Sequence, residues 1–254
     1  MMVRMKFIKI GPVKFIGHLD IMRFFQKAVR RAGLDVEYSQ GFNPHQVMSF
    51  ASPLGVGLTS EGEYLDVSFH SLEDKQVVLK KLNDAMNEFI QVTDMVVLKD
   101  GAKNAMASVA AADYLVSVRD GYEFMNRNEF QEKFTGFMAQ ENITVLKKSK
   151  KSEKETDIKP FIYCHAFAET EFYKGTSGKA TLPEVYDNGV KVYLKLSSGS
   201  VNNIKPELVM EAFCEYAGIP FHEFAFQMHR IELYGETGTE NGAYIPLSEV
   251  GYEA

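Results

Sequence analysis

GHLDIMRFFQKAVRRAGLDVEYSQGFNPHQVMSFASPLGVGLTSEGEYLDV, residues 17–67, runs from one helical pattern through a long polar stretch to one strand pattern. Ile21, Phe25, Ala28 and Ala32 fall at i, i+4, i+7 and i+11, and Phe24 and Val29 widen that face. The spacing predicts an amphipathic helix over Leu19–Ala32. Gly33 then supplies a C-terminal cap. Glu63–Phe69 alternates around Tyr64, Leu65 and Val67, which predicts a strand. Between them, Tyr38–Gly57 carries two prolines and three glycines and no Lys, Arg, Asp or Glu.

Reading outward, Val3–Phe15 is expected as a strand with Pro12 interrupting its tail, and Val36–Tyr38 as a short one. Leu72–Phe89 places Val78, Leu82, Ala85 and Phe89 on one helical face, and the β-branched run Ile90–Leu98 returns as a strand. The order is β-α-β-β-α-β, the ferredoxin-like plan. After an Ala-rich join at 102–113, the second half repeats the order over a longer middle. Strands are expected at Asp113–Arg119, Ile143–Leu146, Phe161–Glu169, Lys191–Leu196 and Phe224–Leu233, with helices at Arg127–Gln140 and Lys205–Ala217. KKSKKSEKETDIKP, 147–160, reads as a solvated hairpin tip or loop. The expectation is an α+β protein of two tandem ferredoxin-like (β-α-β-β-α-β) domains with antiparallel sheets. Their ranges are 1–103 and 104–254, the second with a longer middle insertion and an acidic tail. A single mixed α/β domain is the competing arrangement.

Composition is globular: 254 residues, 45% hydrophobic and 24% charged. No run of 18 apolar residues is present, and the N-terminus lacks a signal-peptide core, so a cytoplasmic protein away from membranes is expected. The net charge of -6 argues against indiscriminate nucleic-acid binding. Its distribution is uneven: residues 1–50 hold eight Lys and Arg against three acids. Two cysteines, Cys164 and Cys214, exclude a four-cysteine iron–sulfur cluster within one chain. Neither they nor His165, His222 and His229 have metal-ligand spacing, and no Walker-type phosphate loop occurs, so no cofactor or metal is expected.

Residues 17–67, together with DIKP at 157–160, SGSVNNIKPELVMEAF at 198–213 and MHRIELY at 228–234, resemble the radical-SAM-associated domain of unknown function. That family is found fused behind radical-SAM modules or encoded as a separate small protein. The resemblance covers most of residues 3–234 and implies a stand-alone accessory domain without the radical-SAM module, whose three clustered cysteines are not here. It brings no reaction with it. The GHL…F…A.RRAG pattern also resembles, less closely, the CRISPR repeat-processing endoribonucleases, which are tandem ferredoxin-like RNA binders.

Three groups of residues are candidates for function. Arg23, Lys27, Arg30 and Arg31 lie at i, i+4, i+7 and i+8 on the first helix, a stripe able to contact phosphates, although an ordinary solvated helix face has the same spacing. Tyr38 and Phe42 offer stacking surfaces, and Ser39, Gln40, Asn43, His45 and Gln46 uncharged donors and acceptors, a mixture suited to a nucleobase, with a self-satisfied hairpin as the plain alternative. His18, Asp20 and His45 are the acid–base candidates, while His18 or Asp20 could equally cap the helix. Lys147, Lys148, Lys150 and Lys151 could extend a nucleic-acid contact. The first reading is an RNA-binding accessory protein for tRNA or rRNA that works with a radical-SAM partner. An RNA-processing or RNA-modifying enzyme with a His/Asp pocket stays open, as does an interaction module for a radical-SAM enzyme. Oligomeric state is not readable from the chain.

Overall fold

A computed structural model describes residues 1–148, 153–175, 179–200, 202–236 and 243–251. In chain order the elements are β1 (Met2–Lys9), α1 (His18–Arg31), β2 (Met48–Phe50), β3 (Thr59–Ser68), α2 (Lys75–Asp84), β4 (Val92–Val97), the single turn α3 (Ala105–Ser108) and β5 (Val109–Val118). They continue as α4 (Arg127–Met138), β6 (Thr144–Lys148), β7 (Glu153–Asp157), β8 (Ile162–Ala166), the turn α5 (Glu169–Phe172), β9 (Lys191–Ser197), α6 (Pro206–Ala217), β10 (Phe226–Glu236) and β11 (Tyr244–Pro246). Two compact units emerge: Met1–Ala111 with the chain from Glu232 onward, and Ala112–Ile231.

In the first unit, β1 alternates buried Val3, Met5 and Phe7 with Arg4 and Lys6. It pairs antiparallel with β3 and β4, so that Met5 lies opposite both Leu65 and Met95. The strand ends at Lys9 rather than Phe15. Gly11 turns the chain at φ +59, with the Phe89 ring 2.8 Å from where a Cβ would stand, and Pro12 behind it has no N–H to extend the ladder. α1 buries Ile21, Phe25, Ala28 and Val29, and the Phe25 ring sits 4.7 Å from Phe7 and 5.7 Å from Phe50 between centroids. Each such apolar side chain contributes about 1.5–3 kcal/mol on burial. α2 begins where the Asp74 carboxylate accepts the Gln76 N–H at 2.9 Å. It stops before the expected Phe89. The Asn83 amide there bonds the N–H and the C=O of Val92, each at 2.8 Å, and Asn87 accepts from the N–H groups of Phe89 and Ile90.

Behind β1 and β3 lies a buried ion pair. Arg4 Nε and Nη2 donate to the two Asp66 oxygens at 2.8 and 3.0 Å. The remaining guanidinium donors reach the carbonyls of Leu247, Val250 and Lys103, each at 3.1 Å, and Asp66 also accepts the Ala105 N–H. Every Arg4 donor is used, which is what makes so deeply buried a charge tolerable. Lys6 and Tyr64 both bond Glu232, at 2.7 Å each.

In the second unit, Phe130, Phe134 and Phe137 recur along one face of α4 and meet Phe213 of α6 with centroids 5.3, 5.1 and 5.8 Å away. β8 and β9 pair antiparallel, and β6 and β7 form a separate two-stranded sheet. The lysine-rich stretch read as a hairpin tip or loop thus takes in the end of β6 and the whole of β7.

The fold is α+β, but it is not two tandem ferredoxin-like domains. Among the described residues nine strands join one sheet, with the order β4-β1-β3-β10-β5-β9-β8, β2 alongside β3 and β11 alongside β10. The physical reason is the length of two strands. β5 and β10 run unbroken through Ala111–Ala112 and Ile231–Glu232, where the units divide. The Ala-rich join at 102–113 forms one helical turn and then enters β5.

Candidate functional site

α1 has two faces. Opposite its buried side, Arg23, Lys27, Arg30 and Arg31 are all exposed. Arg23 makes a solvent-exposed ion pair with Asp20 at 3.1 Å, and among the described residues Lys27, Arg30 and Arg31 have no ion-pair partner. Basic residues in the last turn are favoured by the helix dipole, which accounts for Arg31 without a ligand.

The polar stretch after α1 folds back as a tight hairpin. Tyr38 and Gln46 form an antiparallel bridge, and the Ser39 N–H donates to the His45 carbonyl at 2.8 Å. The Ser39 hydroxyl accepts the His45 N–H at 3.1 Å and shares a 2.8 Å bond with His45 Nδ1. With Nδ1 so engaged, the imidazole has Nε2 left for a ligand. Gly41 takes φ +115 at the tip, a conformation closed to other residues without strain. Gln40, Phe42, Asn43 and Pro44 stand exposed around it. At the base, Gln46 is only 6% exposed. Its Nε2 donates to the Gln26 carbonyl at 3.2 Å and reaches the Tyr38 hydroxyl at 3.5 Å, which ties the hairpin to α1. Its Oε1 is buried and has no hydrogen-bond partner among the described residues. Such an acceptor costs roughly 1–3 kcal/mol.

Helix and hairpin enclose a groove of about 290 Å³. One wall is Arg23, Gln26, Lys27 and Arg30; the other is Tyr38, Pro44, His45 and Gln46. No carboxylate lines it. At 1.5 Å rise per residue the three cations span roughly 10 Å of helix, enough for two successive phosphates.

Of the residues singled out from sequence, the groove brings together Arg23, Lys27, Arg30, Tyr38 and His45. It does not include Arg31, Gln40, Phe42, Asn43, His18 or Asp20. The half-buried His18 ring packs edge-on to Phe50 at 4.9 Å. Burial lowers its pKa, with Glu63 opposing and Lys9 reinforcing that shift. Asp20 is held by Arg23, and His45 by Ser39. No hydrogen bond or ion pair joins His18, Asp20 and His45. Nor does either of the first two cap α1, whose N-cap is Gly17 with no side-chain bond. Gln46 lines the groove as well, and so does Gln26, which was not among the candidates. Gln26 was within reach, since 23, 26, 27 and 30 are the i, i+3, i+4, i+7 set of one helix face. The side chains of Lys147 and Lys148, and the whole of Lys150 and Lys151, lie outside the described residues.

Elsewhere the chemistry is sparse. Cys164 is exposed and Cys214 buried; burial raises both thiol pKa values, that of Cys214 to about 11. Among the described residues no group of three His, Cys, Asp or Glu side chains could hold a metal ion, and no helix is long and apolar enough to cross a membrane.

The groove on this α+β scaffold is thus lined by three cations, with the neutral Tyr38, Pro44 and Gln46 and with His45 facing them. Over residues 2–206 the chain matches a family described as "uncharacterized protein conserved in bacteria (DUF2344)", and it belongs to that family. This is the radical-SAM-associated family that residues 17–67 resemble. No curated protein matches the chain.

Proposed function

We propose that the chain is an RNA-binding accessory protein that works beside a radical-SAM enzyme, with the α1–hairpin groove as its RNA contact. The observation that supports this is the convergence of Arg23, Lys27 and Arg30 on a groove whose facing wall carries Tyr38 and His45 and no acid. Cations at phosphate spacing position a nucleic acid, and neutral ring and amide groups read what the phosphates carry. The net charge of -6 sets the prediction apart from indiscriminate adhesion: binding depends on this one face.

The experiment is binding of purified protein to bulk tRNA and to rRNA fragments at low and high salt, beside an Arg23→Gln/Lys27→Gln/Arg30→Gln variant. Wild-type affinity is expected to fall with salt, with a log–log slope of about 2 to 3 for three neutralised phosphates. The variant loses most of that affinity and slope while keeping its melting temperature, because all three side chains are exposed. Absence of binding at low salt, or equal binding by the variant, overturns the reading.

A second reading, a docking module for the radical-SAM enzyme, draws on a different surface. Phe15, Ile16, Leu19 and Val56 are exposed apolar residues on neighbouring segments, which are joined by the Gly57 N–H to Lys14 carbonyl bond of 2.8 Å. Co-purification with the enzyme, lost in Leu19→Asp but kept in the triple-cation variant, supports it; retention in both variants counts against it.

A further inference from the structure

The groove states where phosphates sit, and the hairpin tip bears on what form of nucleic acid presents them. Phe42 is exposed over its whole side chain, so the fold makes no use of it. It is nevertheless presented in a defined place. The Tyr38–Gln46 bridge and the Ser39–His45 bonds hold the base of the hairpin, Gly41 forms its turn, and Gln46 ties it to α1. Tyr38 is also substantially exposed, at 43%, where it lines the groove. Tyr38 therefore lines the groove with the three cations, and Phe42 stands exposed four positions further on in the same hairpin.

Aromatic rings have nothing to stack on in a duplex, whose bases already cover one another's faces; only its phosphates and groove edges are available. Unpaired nucleotides splay their bases and stack them on Phe and Tyr while basic side chains track the backbone. The volume agrees: about 290 Å³ lies at the small end of ligand sites, near 300 Å³, and suits one nucleotide rather than a helix. We infer that the ligand of this face is a single-stranded RNA segment of at least two nucleotides. Its phosphates lie on Arg23, Lys27 and Arg30, and its bases stack on Tyr38 in the groove and on Phe42 at the tip. This rests on the RNA reading above and narrows it to a substrate class.

The test uses the full chain with a labelled ten-nucleotide RNA of mixed sequence, alone and annealed to its complement, at one fixed salt concentration and then over a salt series. The single strand is expected to bind about ten-fold more tightly than the duplex. Phe42→Ala weakens single-strand binding by roughly five-fold or more, with the salt slope and the duplex affinity unchanged. Phe42→Tyr, which keeps a ring, restores it. Tyr38→Ala behaves like Phe42→Ala, and Tyr38→Phe like wild type. Because Phe42 is fully exposed, its variants report on binding and not on folding. Equal or tighter duplex binding, or a Phe42→Ala variant indistinguishable from wild type on the single strand, overturns this inference and leaves the RNA reading standing. If neither form binds at low salt, the RNA reading itself falls. Phe42 is then a contact for a protein partner, which the enzyme co-purification detects.

Discussion

His18 and His165 carry the same physics in different surroundings. His18 lies edge-on to Phe50, while His165 packs beside Phe134 and Phe167 at 5.8 and 6.0 Å. In both, burial is the main cause of a pKa below the ordinary 6.5; for His165, Lys159 reinforces it and Glu171 opposes it. A histidine whose folded pKa is depressed binds its proton more readily in the unfolded chain. Its penalty is therefore absent well above pH 6.5, grows as pH falls through that value, and levels off below the folded pKa. The His18→Gln/His165→Gln double variant should lose less stability between pH 7 and pH 5 than wild type, measured by urea unfolding at each pH. Parallel losses would show that other groups set the acid limb. At this scale the charged residues of the groove were legible in the sequence, because Arg23, Lys27 and Arg30 sit at helical spacing. The role of Gln46 was not. Its importance comes from the Gln26 carbonyl and the Tyr38 hydroxyl, 20 and 8 positions away, and no local pattern records those contacts. Sequence spacing likewise does not set where rings point: His18 packs on Phe50, and His45 bonds Ser39.

Among the elements, α1 was legible because its apolar period, its glycine C-terminus and its charged face all agree. α2 was read too long. Ala85 and Phe89 keep the apolar period past Asp84, but two asparagine side chains take over the backbone bonds there and end the helix. β2 is only three residues, Met48–Phe50, within a stretch whose prolines and glycines read as loop; it exists because β3 offers an edge at Leu65–Val67. Asn83 is the tie between α2 and the edge strand β4, and its role is testable. Asn83→Ala removes two bonds to Val92 and leaves the backbone groups of a 2% exposed residue unpaired by the side chain. A loss of about 1–3 kcal/mol is expected, with faster amide exchange at Val92 than in wild type. Asn83→Asp should recover part of it, since a carboxylate still accepts the Val92 N–H but cannot donate to its carbonyl. Unchanged exchange at Val92 would mean that the strand is held without Asn83.

At the scale of the whole chain, the tandem-domain reading failed on information that no window of sequence holds. Alternation announces strands, yet it does not say which strand completes which sheet, and here residues from Glu232 onward belong with Met1–Ala111. The consequence is concrete. Arg4 is buried with all its donors used, and two of its acceptors, the carbonyls of Leu247 and Val250, come from the end of the chain. Glu232 takes the bonds of Lys6 and of Tyr64, and its charge together with burial pushes the Tyr64 pKa far above the ordinary 10.0. A fragment of residues 1–111 keeps Arg4, Lys6 and Tyr64 but loses these partners. Removing one side of a buried charged arrangement costs roughly 3–5 kcal/mol, comparable with the lower range of a domain's whole stability. The 1–111 fragment should therefore lack a cooperative thermal transition and show poorly dispersed amide resonances, although β1 to β4, α1 and α2 are all present in it. Adding residues 232–254 through a flexible linker should restore a cooperative melt, and Arg4→Ala in that linked chain should abolish it again. A 1–111 fragment that melts cooperatively within a few degrees of the linked chain would show that the first unit closes on its own, and that the terminal segment contributes little to stability.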